Sequence, residues 1–198
     1  MVKCSPMLDI SQAIGQLHSV AEVHVVSVGN ECKELLFVLE RGKIGGDIQM
    51  HAVNIQGTHV QTFDYTLREE ATAVCTYAGQ LEQYLYEPNS SLMKAGCYRL
   101  PAEHFGMSKL HPNTHLYTSD ALVSDFPGRV FRVNRCNGFS KKELKALGYK
   151  QANLAVRNFP EHVDTLRKRL KIGDGGAAYL FATTLSDESK VLICCEKA

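Results

Sequence analysis

The C-terminal segment, residues 126–198, constrains the fold of this chain more than any other part of the sequence. Short β-branched runs alternate there with two stretches whose apolar residues recur at helical spacing, and Gly, Pro, Asp and Ser separate them. Ser140 and Glu143 form a capping box at the start of one helical stretch, and Leu166 belongs to the apolar stripe of the other. The resulting order, β-α-β-α-β-β, predicts a sheet with both helices on one face.

The preceding segment predicts a hairpin followed by a small α+β unit. Apolar alternation and turn residues predict four strands, at 48–55, 60–65, 83–86 and 115–118. Between the last two, a helix begins at Asn89 or Ser90 and continues toward Phe105, with Pro101 bending or splitting it. We expect residues 66–80 to be irregular.

The first forty residues have the pattern of the end of an α/β unit. A strand remnant at 2–4 is followed by a helix at 10–17, which Asp9 caps. A β-branched strand at 23–28, a turn at 29–30 and a returning strand at 34–39 follow. Three strands and one helix cannot cover both faces of a doubly wound sheet. We therefore expect these strands to belong to a larger sheet.

The net charge of +1 conceals a strong separation of charge. Residues 1–128 carry eight Lys/Arg against fourteen Asp/Glu, residues 129–171 carry twelve against three, and residues 172–198 carry two against four. A strongly basic segment in a nearly neutral chain suggests a docking surface for a polyanion. A basic face that is merely solvated explains the charge alone equally well.

The basic segment is rich in side chains that suit a nucleic-acid backbone. Arginine binds phosphate through paired hydrogen bonds, and lysine acts as a point charge. Phe139, Tyr149 and Phe159 lie among the cations and offer rings for stacking on unpaired bases, with core packing as the alternative, which we favour for Phe159. The candidate RNA-binding residues are Arg129, Arg132, Arg135, Lys141, Lys142, Lys145, Arg157, Arg167, Lys168, Arg169 and Lys171.

Several kinds of site are missing from the sequence. It has no glycine-rich dinucleotide loop, no GxxxxGK[ST], no HExxH and no GxSxG. The seven cysteines include no CxxC pair, so they predict free thiols in a reducing compartment, the cytoplasm. His111 and His115 flank a Pro-Asn turn, and we expect no metal site. No apolar run approaches the roughly 20 residues of a membrane span.

Two pairs of stretches in the sequence resemble a known protein family. They are residues 3–9 (KCSPMLD) with residues 23–30, and residues 86–96 (YEPNSSLMKAG) with residues 111–120 (HPNTHLYTSD). Together they resemble bacterial class I S-adenosylmethionine-dependent methyltransferases that carry a ferredoxin-like domain and a C-terminal THUMP-like domain. Residues 155–160 and 179–184 resemble the THUMP-like part, so the similarity extends over nearly the whole chain.

The resemblance implies an α+β fold in three parts. These are a remnant of a Rossmann-like methyltransferase sheet at 1–41, a hairpin with a ferredoxin-like domain at 42–125, and a βαβαββ THUMP-like domain at 126–198. It also implies that the cofactor loop and the catalytic acidic motif lie upstream in a longer parent protein. That parent would bind S-adenosylmethionine, whereas this fragment would bind no cofactor and would be inactive alone. The implied partners are structured RNA, such as ribosomal or transfer RNA, and the missing N-terminal catalytic domain.

Six residues are candidates for bordering the catalytic cleft of the parent protein, because ligands gather at the carboxyl ends of strands in open α/β sheets. Turn and helix-cap roles are the alternative for each of them. The six are Lys3, Ser5, Asp9, Glu87, Asn89 and Lys94.

Two functions remain open at this point. The chain is the RNA-recognition and accessory half of a candidate RNA methyltransferase, or it is a protein-interaction or oligomerisation module that binds no nucleic acid.

Overall fold

A computed structural model shows two compact units. One contains residues 1–74 and 88–103, and the other contains residues 75–87 and 104–198. The structure describes residues 1–43 and 45–198. Both units are mixed α+β, with strands dominant and helices short. Within the described ranges, no helix has the length and apolar character needed to cross a membrane.

The first unit is built on a five-stranded sheet. Its elements are β1 (Val2–Cys4), α1 (Ile10–Gln16), β2 (Val20–Val28), β3 (Glu31–Leu39), β4 (Gln49–Gln56), β5 (His59–Thr66), α2 (Leu67–Thr72), α3 (Ser90–Ala95) and α4 (Leu100–His104). The strand order is β1-β3-β2-β4-β5. β3 is antiparallel to both of its neighbours, β2 and β4 are parallel, and β5 is antiparallel to β4.

One face of this sheet is buried under α3. Val23, Phe37 and Met50 are fully buried on neighbouring strands, and they share a face because residues paired across strands point the same way. α3 contacts β2, β3 and β4, and the hydroxyl of Tyr65 donates a hydrogen bond to the Ala95 carbonyl oxygen at 3.0 Å. The opposite face of β2 carries half-exposed side chains, since buried and partly exposed residues alternate along the strand.

The second unit is built on a seven-stranded sheet. Its elements are β6 (Tyr84–Pro88), β7 (Ser108–His111), β8 (Thr114–Ser119), β9 (Gly128–Asn137), α5 (Lys141–Lys145), β10 (Asn153–Arg157), α6 (Val163–Leu170), β11 (Tyr179–Thr184) and β12 (Lys190–Lys197). The strand order is β10-β11-β12-β9-β6-β8-β7. β10 and β11 are parallel, and β12 is antiparallel to β11 and β9.

The two faces of this sheet bury separate apolar clusters. Leu166 of α6 packs with Leu180 and Cys194 on one face, and Leu144 of α5 packs against the same cluster. Cys195, the next residue along β12, lies in the cluster of the other face. Successive strand residues point to opposite faces, which explains why these neighbouring cysteines are both buried and both free.

The β-α-β-α-β-β order of the C-terminal segment is confirmed, with both helices packed on one cluster. The expectation of irregular structure at 66–80 is wrong for 67–72, because α2 lies there and begins with a capping box of Thr66 and Glu69. It is confirmed for 73–80, which contain no helix and no named strand. The helix predicted from Asn89, with a bend or split at Pro101, is two helices, and the break comes earlier, at Gly96. α3 ends at Gly96, whose φ of +78° favours glycine.

The hairpin of β4 and β5 pairs with β2, so it belongs to the first sheet together with the strands of the first forty residues. β7 was not foreseen from the sequence; it forms a hairpin with β8. The division of the chain at residues 41 and 125 stays a prediction.

Candidate nucleic-acid interface

A pocket of about 530 Å³ lies among α5, the loop that follows it and the end of α6. Its apolar lining comes from leucine and isoleucine side chains of these segments, together with Phe139 and Tyr149. Four cationic residues also line it: Lys141, Lys145, Arg169 and Lys171. All four belong to the predicted RNA-binding set, so the structure brings this part of the set together.

The capping box of α5 fixes the position of two of these lysines. The Ser140 hydroxyl accepts a hydrogen bond from the Glu143 N–H at 3.3 Å, and the Glu143 carboxylate accepts one from the Ser140 N–H at 3.2 Å. Lys141 and Lys145 are four residues apart and therefore lie on the same side of the helix. The Ser140 hydroxyl, followed by the N–H groups of Gly138 and Ser140, lowers the pKa of Glu143 by hydrogen bonding to its charged form.

The last turn of α6 supplies the remaining cations. Lys171 ends the helix with a φ of 55°, a left-handed conformation that costs energy for a residue other than glycine. Arg169 forms an ion pair with Glu161, which reduces its net contribution to the positive potential. Glu161 was not singled out from the sequence, because it precedes the helix and nothing in the spacing indicates that Arg169 folds back toward it.

The aromatic side chains of the basic segment are mostly engaged in packing. Phe139 and Phe159 pack against each other with ring centroids 4.8 Å apart, and both contact the core cluster under the helices. The Arg169 guanidinium lies 5.5 Å from the Phe139 ring centroid. Phe159 therefore has the core-packing role that was predicted for it. Phe139 and Tyr149 line the pocket.

Two of the predicted RNA contacts bind an internal carboxylate instead. Glu87 of β6 is only 5% exposed, and both of its oxygens accept hydrogen bonds from arginine. The Arg129 Nε lies 2.8 Å from one oxygen, and an Arg157 guanidinium nitrogen lies 2.6 Å from the other. This ion-pair cluster connects β6, β9 and β10, so part of the charge of these arginines is already neutralised within the unit.

The other basic candidates are spread over the unit. Arg135 lies opposite Cys194 on the face covered by the helices, and it donates a hydrogen bond of 3.5 Å to the Ala146 carbonyl oxygen. Arg167 pairs with Asp174 at 2.8 Å. Three residues are simply exposed: Arg132, Lys142 and Lys168. The predicted set of eleven therefore does not form one continuous patch, and the pocket rim holds its densest part.

The candidates for the catalytic cleft have local roles. Asp9 and Asn89 are N-caps, and their side-chain oxygens accept the N–H of the residue three positions later at 2.8 and 3.0 Å. The Ser5 hydroxyl accepts a backbone N–H at 3.2 Å in a turn. Lys3 pairs with a glutamate of β3 at 2.5 Å, and Lys94 lies in the last turn of α3. Their place beside a catalytic cleft stays a prediction.

The basic part of the chain matches a known protein family. Residues 128–197 match the family described as THUMP domain-like. They form a THUMP-like domain. The domain begins with β9, ends with β12 and contains the whole pocket. Residues 84–127 match a ferredoxin-like domain, which contributes β6, β7 and β8 to the same seven-stranded sheet.

The chain is also similar to a solved structure over almost its full length. This is the crystal structure of a candidate methyltransferase from Porphyromonas gingivalis W83, which is 39% identical with a TM-score of 0.93. The match covers 99% of this chain and 50% of that one, so the chain spans about half the length of that protein. No curated protein matches the chain.

Proposed function

We propose that this chain is the RNA-recognition and accessory half of an S-adenosylmethionine-dependent RNA methyltransferase, and that its THUMP-like domain binds the RNA backbone. The observation that carries the proposal is the pocket lined by Lys141, Lys145, Arg169 and Lys171. The candidate methyltransferase that the chain resembles supports the enzyme class. That protein is twice as long, which is consistent with a catalytic domain outside this chain.

The pocket combines cationic side chains that suit RNA phosphates with an apolar surface that suits a ribose or a base. Within the described part of the chain, no carboxylate forms an ion pair with Lys141, Lys145 or Lys171, and all three are exposed. They are therefore available to replace the counterions of RNA phosphates. The leucines, Ile172 and Tyr149 offer an apolar surface for a ribose or base.

We propose that S-adenosylmethionine is bound outside this chain. A Rossmann-like domain holds such a cofactor at a glycine-rich turn between a strand and a helix, and the sequence has no such turn. We assign cofactor binding and the catalytic residues to the other half of the proposed enzyme. The contribution of this chain is to hold the RNA.

The first sheet supports a connection to a further domain. β3 lies between β1 and β2 and is antiparallel to both, and β1 is a three-residue strand at the edge of the sheet. Among the described residues, β1 pairs with β3 alone. The unpaired main-chain groups of an edge strand can accept a further strand by hydrogen bonding. We propose that further strands of the catalytic domain pair with this edge.

RNA binding by the full chain tests the proposal. A fluorescence anisotropy titration with a labelled structured RNA compares the wild type with the double variant Lys141→Ala/Lys145→Ala. We expect the double variant to bind roughly tenfold more weakly, because two phosphate contacts are lost. Lys33→Ala is the control, since Lys33 is an exposed lysine of β3 paired with Glu31.

Equal RNA affinity of the wild type and the double variant would show that the lysines of the pocket do not contact the RNA. Absence of RNA binding, together with self-association in analytical ultracentrifugation, would favour a protein-interaction module instead.

A further inference from the structure

Four polar side chains form a compact cluster on the first sheet, on the face opposite α3. The parallel pairing of β2 with β4 places His24 directly beside His51, and the pairing of β4 with β5 places Asp64 beside His51. These three side chains form a row across three strands. Glu22 precedes His24 by two residues, so it lies on the same face of β2.

The potential ligand atoms of this cluster converge. The Glu22 carboxylate oxygen Oε2 lies 3.1 Å from His24 Nε2 and 3.9 Å from His51 Nε2. One ligand atom from each of the three residues lies within 4.8 Å of the other two. Ligand atoms bound tetrahedrally to zinc at about 2.0 Å are roughly 3.3 Å apart. The cluster is therefore close to the size of a metal site, and reorientation of the side chains would bring the ligand atoms to that spacing.

Asp64 supplies the supporting contact that metal-binding histidines usually have. Its Oδ1 lies 2.9 Å from His51 Nδ1. A carboxylate can only accept a hydrogen bond there, so it favours the proton on Nδ1 and leaves Nε2 of His51 as the ligand atom. The Glu22 carboxylate accepts a hydrogen bond from His24 Nε2 in the same way, so binding of a metal ion has to displace that proton. The His24 and His51 rings stack with centroids 4.3 Å apart and an interplanar angle of 16°. Because each nitrogen lone pair lies in the plane of its ring, a shared metal ion requires the two rings to turn out of this stack.

We propose that Glu22, His24 and His51 bind a zinc ion on the open face of the first sheet, with Asp64 as a positioning residue. Two imidazoles and one carboxylate are the ligands of zinc sites that keep a fourth position for water. Magnesium and calcium prefer oxygen ligands throughout and fit this set poorly. The site is independent of RNA binding by the second unit, and it departs from the sequence analysis, which expected no metal.

Zinc titration of the full chain by isothermal calorimetry tests this site. We expect one zinc ion per chain for the wild type. Asp64→Asn should weaken binding by about 10–100-fold, as is typical for loss of the carboxylate that orients a histidine ligand. His24→Ala and His51→Ala should weaken it further, because each removes a ligand. His59→Ala is the matched control, since His59 is an exposed histidine at the start of β5.

Two further readouts distinguish zinc bound at this cluster from zinc bound by cysteine thiolates. The chain has seven free cysteines, which are alternative zinc ligands. If the proposed cluster binds the metal, the cobalt-substituted protein should show tetrahedral d–d absorption and no thiolate charge-transfer band. Thermal unfolding without metal should be similar for all variants, since the side chains concerned are partly exposed. Zinc affinity unchanged by His51→Ala and Asp64→Asn, or a thiolate band in the cobalt spectrum, would overturn the proposal.

Discussion

The most consequential single residue of the second unit is Glu87. A carboxylate that is nearly inaccessible to water is costly to bury unless hydrogen bonds and opposite charges compensate for its lost hydration. Arg129 and Arg157 provide both, and their side chains remain 39% and 41% exposed. The arginines can therefore be solvated without Glu87, whereas Glu87 depends on the arginines.

This asymmetry leads to a prediction for Glu87→Gln. The substitution keeps the shape of the side chain and removes its charge, so it should lower the free energy of unfolding by about 1–3 kcal/mol, the range for hydrogen bonds to charged groups. Urea denaturation of the full chain measures this loss. Glu196→Gln, at an exposed position of β12, should have little effect. A loss for Glu87→Gln as small as that for Glu196→Gln would show that the buried ion pairs do not stabilise the unit.

The chemistry of individual residues was easier to predict from the sequence than their partners. The sequence identified Lys141, Lys145 and Arg169 as candidates for phosphate binding, and the structure places them around one pocket. It could not show that Arg129 and Arg157 lie against Glu87, because these residues come from three different strands. Contacts of this kind depend on strand order and register, which local sequence patterns do not contain.

At the scale of secondary-structure elements, α5 depends most clearly on local sequence. It has only five residues, and helices of this length are not stable without capping or packing. The capping box and the contact of Leu144 with the core supply these two kinds of support. Because Lys141 and Lys145 lie on this helix, the shape of the pocket depends on the cap.

Ser140→Ala should therefore destabilise the THUMP-like domain in a pH-dependent way. The folded pKa of Glu143 is below its ordinary value of 4.5, so its stabilisation is fully present above that value and is lost as the pH falls through the folded pKa. The largest cause of this shift is the Ser140 hydroxyl. We expect the unfolding temperature of the variant to be lower than that of the wild type at neutral pH, and the difference to shrink in acid.

Thermal unfolding followed by circular dichroism, at neutral pH and well below pH 4.5, measures this difference. In the variant, the carbon-13 NMR titration of Glu143 should move up toward its ordinary pKa. A difference in unfolding temperature that is equal at both pH values would contradict the linkage of the cap to the charge of Glu143.

Elements that combine a cap or turn signal with an apolar pattern were predicted, whereas an element with a cap but no apolar pattern was missed. The helix capped by Asp9 and the hairpin around Gly57 were recognised because cap and turn residues lie next to the elements that they define. α2 was missed although its capping box, Thr66 with Glu69, is visible in the sequence. The helix has no buried residue, so the apolar stripe that usually reveals a helix is lacking.

At the scale of the whole molecule, the two units carry opposite net charge. The first unit contains seven Lys/Arg against ten Asp/Glu, and the second contains fifteen against eleven. Long-range attraction of a polyanion therefore arises from the second unit. Within that unit the pocket is the place where the positive charge is densest, since the cations elsewhere are paired or dispersed.

The salt dependence of RNA binding should report how many of these cations contact phosphates. Each phosphate contact with double-stranded nucleic acid contributes about −0.9 to the slope of log K against log salt concentration, so four contacts predict a slope of about −3.6. Lys141→Ala/Lys145→Ala should reduce the magnitude of the slope by about 1.8, whereas Lys33→Ala should leave it unchanged. Anisotropy titrations of the labelled structured RNA over a series of salt concentrations measure these slopes. A slope near zero, or one that the double variant does not change, would mean that the lysines of the pocket do not contact the RNA backbone.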